Sequence, residues 1–73
     1  MDRTQQLAAR AMSLAVDEYN DQHATTELAT LASGDTAALD RACDVCFATV
    51  GTDLAIRRRA IELLARVRYG GLS

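Results

Sequence analysis

Two segments in the C-terminal half of the chain carry the same boundary signals, an aspartate before an apolar run and a glycine after it. Segment 36–50 lies between Asp35 and Gly51, and segment 54–68 begins after Asp53 and ends before a pair of glycines. An aspartate side chain accepts hydrogen bonds from the free N–H groups of a first helical turn, and glycine readily ends a helix. The pattern therefore predicts two helices, over residues 36–50 and 54–68, joined by a tight turn.

Weaker signals of the same kind divide the N-terminal half. Apolar residues at a spacing near 3.6 predict a first helix over residues 3–19. The polar stretch 20–26, NDQHATT, predicts a break in that helix. Thr26 as a capping residue then predicts a short second helix over 27–33, with Gly34 just past its end.

The composition agrees with helices throughout. The 73 residues include fourteen alanines and nine leucines, no proline, and no run with the alternating pattern of a strand. We expect an all-α fold, a compact bundle of three long helices and one short helix joined by tight Gly/Asp turns. Residues 1–69 are expected to form a single domain and residues 70–73 a flexible C-terminal tail. A chain of this length buries only about 60% of its unfolded surface, so its core must be thin.

Two observations bear on location. No stretch approaches the roughly 18 apolar residues of a spanning helix. The N-terminus, MDRTQQLAAR, lacks the basic-then-apolar layout of a signal peptide. We therefore expect a cytoplasmic protein with no membrane partner.

The predicted first and third helices are apolar over a wide arc. On the third helix the arc covers more than half of the circumference and includes both cysteines and Phe47. A helix apolar over half its surface must touch neighbours on two sides, and a chain this small cannot easily cover every such face. We expect a homodimer, with the apolar contacts made by four residues of the first helix: Leu7, Met12, Leu14 and Tyr19.

The motif CDVC, residues 43–46, raises the question of a metal or redox site. A structural zinc site needs four ligands, and the chain has two cysteines and one histidine. Redox CxxC pairs begin a helix after a strand, whereas Cys43 lies two turns past Asp35. We expect buried thiols, with no metal and no cofactor. A zinc ion shared by the four thiolates of a dimer is the alternative left open.

Nothing in the sequence forms a catalytic constellation. His23 is the only histidine and lies in the polar stretch, next to threonines expected to cap a helix. Asp40 and Asp44 repel each other at i, i+4, which suggests that an arginine of the fourth helix or of a partner meets them. The chain has no glycine-rich phosphate loop and no nucleophile motif. We expect no enzymatic activity.

Charge is distributed unevenly along the chain. Residues 1–53 carry nine acids and three arginines, whereas residues 54–73 carry five arginines and Glu62. A basic helix after a glycine turn invites a nucleic-acid-binding interpretation. However, Glu62 is spaced to pair with Arg58, Arg59 and Arg66, which divides the basic charge. In a helix-turn-helix built on Gly51, moreover, an apolar position would hold Arg57.

The leading hypothesis is therefore a small non-catalytic protein–protein interaction module that associates with itself and with an unidentified protein. An apolar helix face rimmed by arginine and aspartate would form the contact, and four arginines would meet an acidic partner: Arg57, Arg58, Arg59 and Arg66. The alternatives are a small nucleic-acid-binding transcriptional regulator that uses the C-terminal helix, and an acidic inhibitor or antitoxin-like protein that docks on a basic partner.

Overall fold

The computed structural model describes residues 2–18 and 20–70, which form four α-helices and, within those residues, no strand. The helices are α1 (Arg3–Val16), α2 (Asp21–Ala32), α3 (Thr36–Ala48) and α4 (Leu54–Tyr69). The all-α prediction is confirmed. Tyr19 and residues 71–73, most of the predicted tail, lie outside the described residues. None of the four helices is both long and apolar enough to cross a membrane.

The two aspartate caps predicted in the C-terminal half are confirmed. The carboxylate of Asp35 accepts a hydrogen bond from the backbone N–H of Ala38 at 3.0 Å. The carboxylate of Asp53 accepts one from Ala55 at 2.7 Å. Each bond satisfies a first-turn N–H that has no partner within its own helix. Both helices accordingly start where the sequence predicts.

The second helix differs from the prediction: it has 12 residues and begins at Asp21 instead of residue 27. The side chain of Asn20 caps it and accepts hydrogen bonds from the backbone N–H groups of Gln22 and His23, at 2.8 and 3.3 Å. The polar stretch forms the first turns of α2 and buries Ala24 in the core, so the prediction of a break through residue 26 was wrong. The helix ends at Ser33, which adopts the left-handed conformation with φ 51°.

The core lies where α4 packs against the other three helices, whereas α2 and α3 make the smallest contact. Fifteen apolar residues are buried within the described part of the chain: Leu7, Ala8, Ala11, Leu14, Ala15, Ala24, Leu28, Ala32, Ala38, Leu39, Ala42, Cys46, Ala60, Leu63 and Leu64. Eight of these are alanines, which let the helices approach closely but remove little apolar surface from water. The core is therefore as thin as the chain length predicts.

Polar contacts connect α1 to its neighbours at the rim of the core. The guanidinium of Arg10 forms a two-pronged hydrogen bond with the carboxylate of Glu27 on α2. That hydrogen bond lowers the pKa of Glu27 below its usual value, against the opposing effect of partial burial. On the other side, Nε of Arg41 on α3 donates to the hydroxyl of Thr4 at 3.0 Å. These contacts fix α1 between α2 and α3.

Candidate docking surface

The side chains of α4 divide the helix surface into a covered side, two flanks and an exposed side. The covered side carries Ala60, Leu63 and Leu64, which are buried in the core. Residues three, four and seven apart share a helix face, so this apolar spacing sets the rotation of α4 about its axis. The same rotation decides which of its five arginines reach neighbouring helices.

The flank that faces α2 carries Arg59 and Arg66, which share one carboxylate. Arg59 donates a hydrogen bond to one oxygen of Asp21, and Arg66 donates to the other at 2.9 Å. The hydrogen bond from Arg59 lowers the pKa of Asp21, and the positive charges of both arginines add to the effect. The two arginines therefore hold α4 to the first turn of α2.

The flank that faces α3 carries Arg57 and Arg68. Arg57 donates to the backbone carbonyl of Phe47 at 3.1 Å, which satisfies one of the free carbonyls at the C-terminal end of α3. Nε of Arg68 lies 3.3 Å from the carboxylate of Asp40. An arginine of the fourth helix thus meets Asp40, as the spacing of the acids suggested.

Four exposed residues of α4 lie away from the core, Leu54, Arg58, Glu62 and Tyr69, and the half-buried Ile61 and Ala65 lie between them. These six residues are called here the outer strip. Among the described residues, neither Arg58 nor Glu62 forms an ion pair within 4.0 Å. The predicted pairing of Glu62 with Arg58 and Arg66 is not formed, because Arg66 reaches Asp21 instead. Glu62 does influence Arg59 on the neighbouring flank. The pKa of Arg59 is raised mainly by its hydrogen bond with Asp21, and the negative charge of Glu62 adds a smaller contribution.

A groove opens between the N-terminal half of the outer strip and the end of α3. It has a volume of about 420 Å³ and is called here the Phe47 groove, after the aromatic ring at its edge. Its lining residues are Phe47, Leu54, Arg57, Arg58, Ile61 and Glu62. The groove thus combines an apolar lining with basic and acidic side chains.

Exposed apolar side chains concentrate around this groove. Phe47 is 75% exposed, Val50 91% and Leu54 60%. All three lie in the eight-residue span 47–54, which includes the α3–α4 connection, and Phe47 and Leu54 line the groove. The other large apolar side chains that are exposed among residues 2–18 and 20–70, Val16 and Tyr69, lie elsewhere. Single exposed apolar residues are ordinary on protein surfaces, but a cluster beside a groove is typical of a binding site.

The apolar contacts predicted on the first helix are placed differently. Leu7 and Leu14 are fully buried and packed within their own chain, so the apolar surface available to a partner is built by other residues. Met12 packs against the core and is partly buried. Tyr19 lies outside the described residues. Phe47 and Leu54 were not among the predicted contacts, although both lie close to the short glycine-containing connection, where fewer neighbours can cover a side chain.

The two cysteines occupy different environments on α3. Cys46 is buried, with its sulfur 3.8 Å from the backbone carbonyl of Ala8, and burial raises its pKa to about 11. Cys43 is half-buried, and its pKa is raised first by burial and then by the charges of Asp40 and Asp44. A raised pKa favours the thiol over the thiolate that metal binding and redox exchange require. No group of three or more potential metal ligands occurs among residues 2–18 and 20–70.

His23 lies on the first turn of α2, with Nε2 3.8 Å from the carboxylate of Glu27. The nearby hydroxyl of Thr25 donates to the backbone carbonyl of Asp21 at 2.8 Å. This hydroxyl is therefore engaged with the helix backbone and is not directed toward the imidazole. His23 and Glu27 therefore form a surface contact within one helix, and Thr25 is not placed as a nucleophile for His23 to activate.

A larger depression, about 690 Å³, lies between the start of α2 and the end of α4. Its charged residues are Asp21 and Arg66, which already bind each other across it. The Phe47 groove is the better candidate because three of its lining residues, Phe47, Leu54 and Arg58, are exposed. Comparisons with protein-family models, with curated proteins and with solved structures find no match to this chain.

Proposed function

We propose that the protein is a non-catalytic helical interaction module that associates with itself through the outer strip and the Phe47 groove. The observation that carries this proposal is the exposure of Phe47 (75%) and Leu54 (60%), which line the groove, together with the exposed Val50 between them in the chain. Exposed apolar area of this kind costs free energy in water and favours association with another apolar surface.

A second copy of the chain is the occupant that the charges favour. The surface carries Arg58 and Glu62 side by side, so it presents both signs of charge to whatever docks on it. A partner that is uniformly acidic or uniformly basic would meet one like charge, whereas a second copy offers the complementary pair. Self-association would also add stability to a chain with an alanine-rich core, because binding favours the folded state.

The states of the ionisable groups support a role without catalysis. The raised pKa values of both thiols keep them protonated near neutral pH, which disfavours nucleophilic or metal chemistry. The carboxylates of Asp21 and Glu27 have lowered pKa values because arginines bind them, and such carboxylates are poor proton acceptors. These groups serve better to hold helices together than to exchange protons.

Of the four arginines expected to meet a partner, Arg58 is the best placed. Arg59 and Arg66 bind Asp21, and Arg57 binds the end of α3. The same pairing weakens the nucleic-acid alternative, because phosphate binding depends on several uncommitted cations on one face. The acidic-inhibitor alternative gains little, since four acids of the first 53 residues bind arginines of the chain itself: Asp21, Glu27, Asp35 and Asp40.

Sedimentation equilibrium of the wild-type chain and of Phe47→Asp tests the proposal. We expect the wild type to associate reversibly and the variant to bind itself more than ~30-fold less tightly, as at an interface hot spot. Ala9→Asp is the matched control, because Ala9 is an exposed residue of α1 that belongs neither to the groove nor to the outer strip. A wild type that stays monomeric at millimolar concentration would refute the proposal, as would equal losses in both variants.

A further inference from the structure

The outer strip carries the exposed side chain of Tyr69, called here the knob, at one end and the Phe47 groove at the other. Beside the knob, Glu62, Ala65 and Tyr69 line a second depression of about 600 Å³. Tyr69, at the C-terminal end of α4, is 55% exposed, and the guanidinium of Arg68 lies 4.9 Å from the centre of its ring. Leu54, at the N-terminal end, is one of the residues that line the Phe47 groove. Fifteen residues separate Leu54 from Tyr69, which is about 22 Å along the helix axis. The Tyr69 ring accordingly does not line the groove of its own chain.

We propose that two copies pack α4 against α4 in antiparallel orientation about a two-fold axis, with Tyr69 of each copy seated in the Phe47 groove of the other. This assignment rests on the proposed self-association and specifies its geometry. A two-fold axis across the outer strip exchanges its ends, so each knob meets the groove of the second copy. The ring of a tyrosine suits such a groove because its edge is apolar and its hydroxyl can stay in water.

The charged residues of the outer strip support the same orientation. With Leu54 opposite Tyr69, Arg58 lies opposite Ala65, and Glu62 lies opposite Ile61. Arg58 of one copy is then three residues, or about 4.5 Å along the axis, from Glu62 of the other. The two-fold axis repeats this pair, so the contact contains two Arg58–Glu62 pairs. The small side chain of Ala65 leaves room for the arginine to lie across the interface.

A parallel arrangement of the two helices does not satisfy the same residues. It would set Arg58 beside Arg58 and Glu62 beside Glu62, which places like charges together at the centre of the contact. Tyr69 would meet Tyr69, and the two Phe47 grooves would remain unfilled. The antiparallel arrangement is therefore the one that the pattern of the outer strip favours.

Charge exchange at Arg58 and Glu62 tests this geometry. Arg58→Glu brings a second carboxylate near Glu62 of the other copy, and Glu62→Arg places two guanidinium groups together. Each variant should bind itself about ten-fold less tightly than wild type, since two attractive contacts become repulsive. In a 1:1 heterodimer of the two variants, both pairs between positions 58 and 62 again have opposite charges. An equimolar mixture should therefore form the heterodimer in preference to either homodimer. The double variant, Arg58→Glu with Glu62→Arg, should recover the homodimer.

Native mass spectrometry distinguishes these species by the mass difference of the two variants, and circular dichroism confirms that each variant is folded. Tyr69→Ala tests the knob independently and should weaken the homodimer about ten-fold or more. A dimer that Phe47→Asp dissociates but that charge exchange and Tyr69→Ala leave unchanged would overturn the antiparallel geometry and leave self-association standing. A wild type that is monomeric throughout would overturn both.

Discussion

Arg58 and Arg59 are consecutive residues of α4, but they lie on different sides of it. Arg59 is on the flank that faces α2 and donates a hydrogen bond to Asp21. Arg58 is on the outer strip, exposed and without an ion pair among the described residues. An arginine therefore holds the bundle together at position 59, whereas an arginine at position 58 remains available to a partner. What differs is a rotation of about 100° around the helix axis.

The leucines of α4 show the same contrast. Leu64 is fully buried in the core, whereas Leu54 is 60% exposed at the edge of the Phe47 groove. The covered side of α4 packs in the core and its flanks bind the neighbouring helices, whereas the exposed residues of the outer strip contribute little to the stability of the monomer. Substitutions on the two sides should accordingly separate stability from association.

The largest difference is expected between Leu64→Ala and Leu54→Ala. Truncating the buried Leu64 removes apolar contacts and leaves a cavity, which should lower the free energy of unfolding by about 2–5 kcal/mol. Truncating the exposed Leu54 should change it by no more than ~0.5 kcal/mol. Urea unfolding followed by circular dichroism, at concentrations low enough to keep the chain monomeric, measures both. Comparable losses in the two variants would show that Leu54 also belongs to the core.

A smaller effect is expected at the flank, where Asp21 binds two arginines. Asp21→Asn removes the negative charge that Arg59 and Arg66 share, and it also removes an acid from the first turn of α2, where the helix dipole favours one. The variant should be less stable than wild type at pH 7, by less than the loss in Leu64→Ala. Thermal unfolding of the two chains at matched concentration measures the difference.

The pH dependence of that difference follows from the lowered pKa of Asp21. A carboxyl group whose pKa is lower in the folded chain binds its proton more readily in the unfolded chain. Its contribution is therefore complete above the usual aspartate pKa of about 4 and is lost as the pH falls through the folded-state value. The melting temperatures of wild type and Asp21→Asn should converge in acid. A gap that persists unchanged in acid would mean that the asparagine disturbs α2 by another route.

The sequence predicts those features of the fold that depend on residues close to one another in the chain. Asp35 and Asp53 start α3 and α4 where their capping geometry indicates, because a cap binds N–H groups two or three residues away. The start of α2 was missed because Asn20 is followed by polar residues, which are equally typical of a loop and of an exposed first turn. Local patterns of this kind do not distinguish the two.

The features that the sequence does not predict depend on contacts between residues that are far apart in the chain. Asp21 is 38 residues from Arg59 and 45 from Arg66, and no local spacing indicates that they meet. The wide apolar arc of α3 predicts that some of its residues stay uncovered, but it does not show that Phe47 is one of them. That depends on the direction from which α4 approaches, which is a property of the assembled bundle.

The smallest expected change is the effect of Arg58→Ala on the stability of the monomer. Because Arg58 is exposed and has no ion pair among the described residues, its removal should alter the free energy of unfolding by no more than ~0.5 kcal/mol. Arg59→Ala is the matched control and should be the less stable of the two, because it releases Asp21 from one of its partners. The order should reverse for self-association, where Arg58→Ala weakens binding and Arg59→Ala, corrected for its loss of folded chain, does not. Urea unfolding and sedimentation equilibrium on the same three proteins measure both orders. If Arg58→Ala proved the less stable monomer, Arg58 would have to be assigned to the bundle, and the division of α4 into a structural flank and a docking strip would fail.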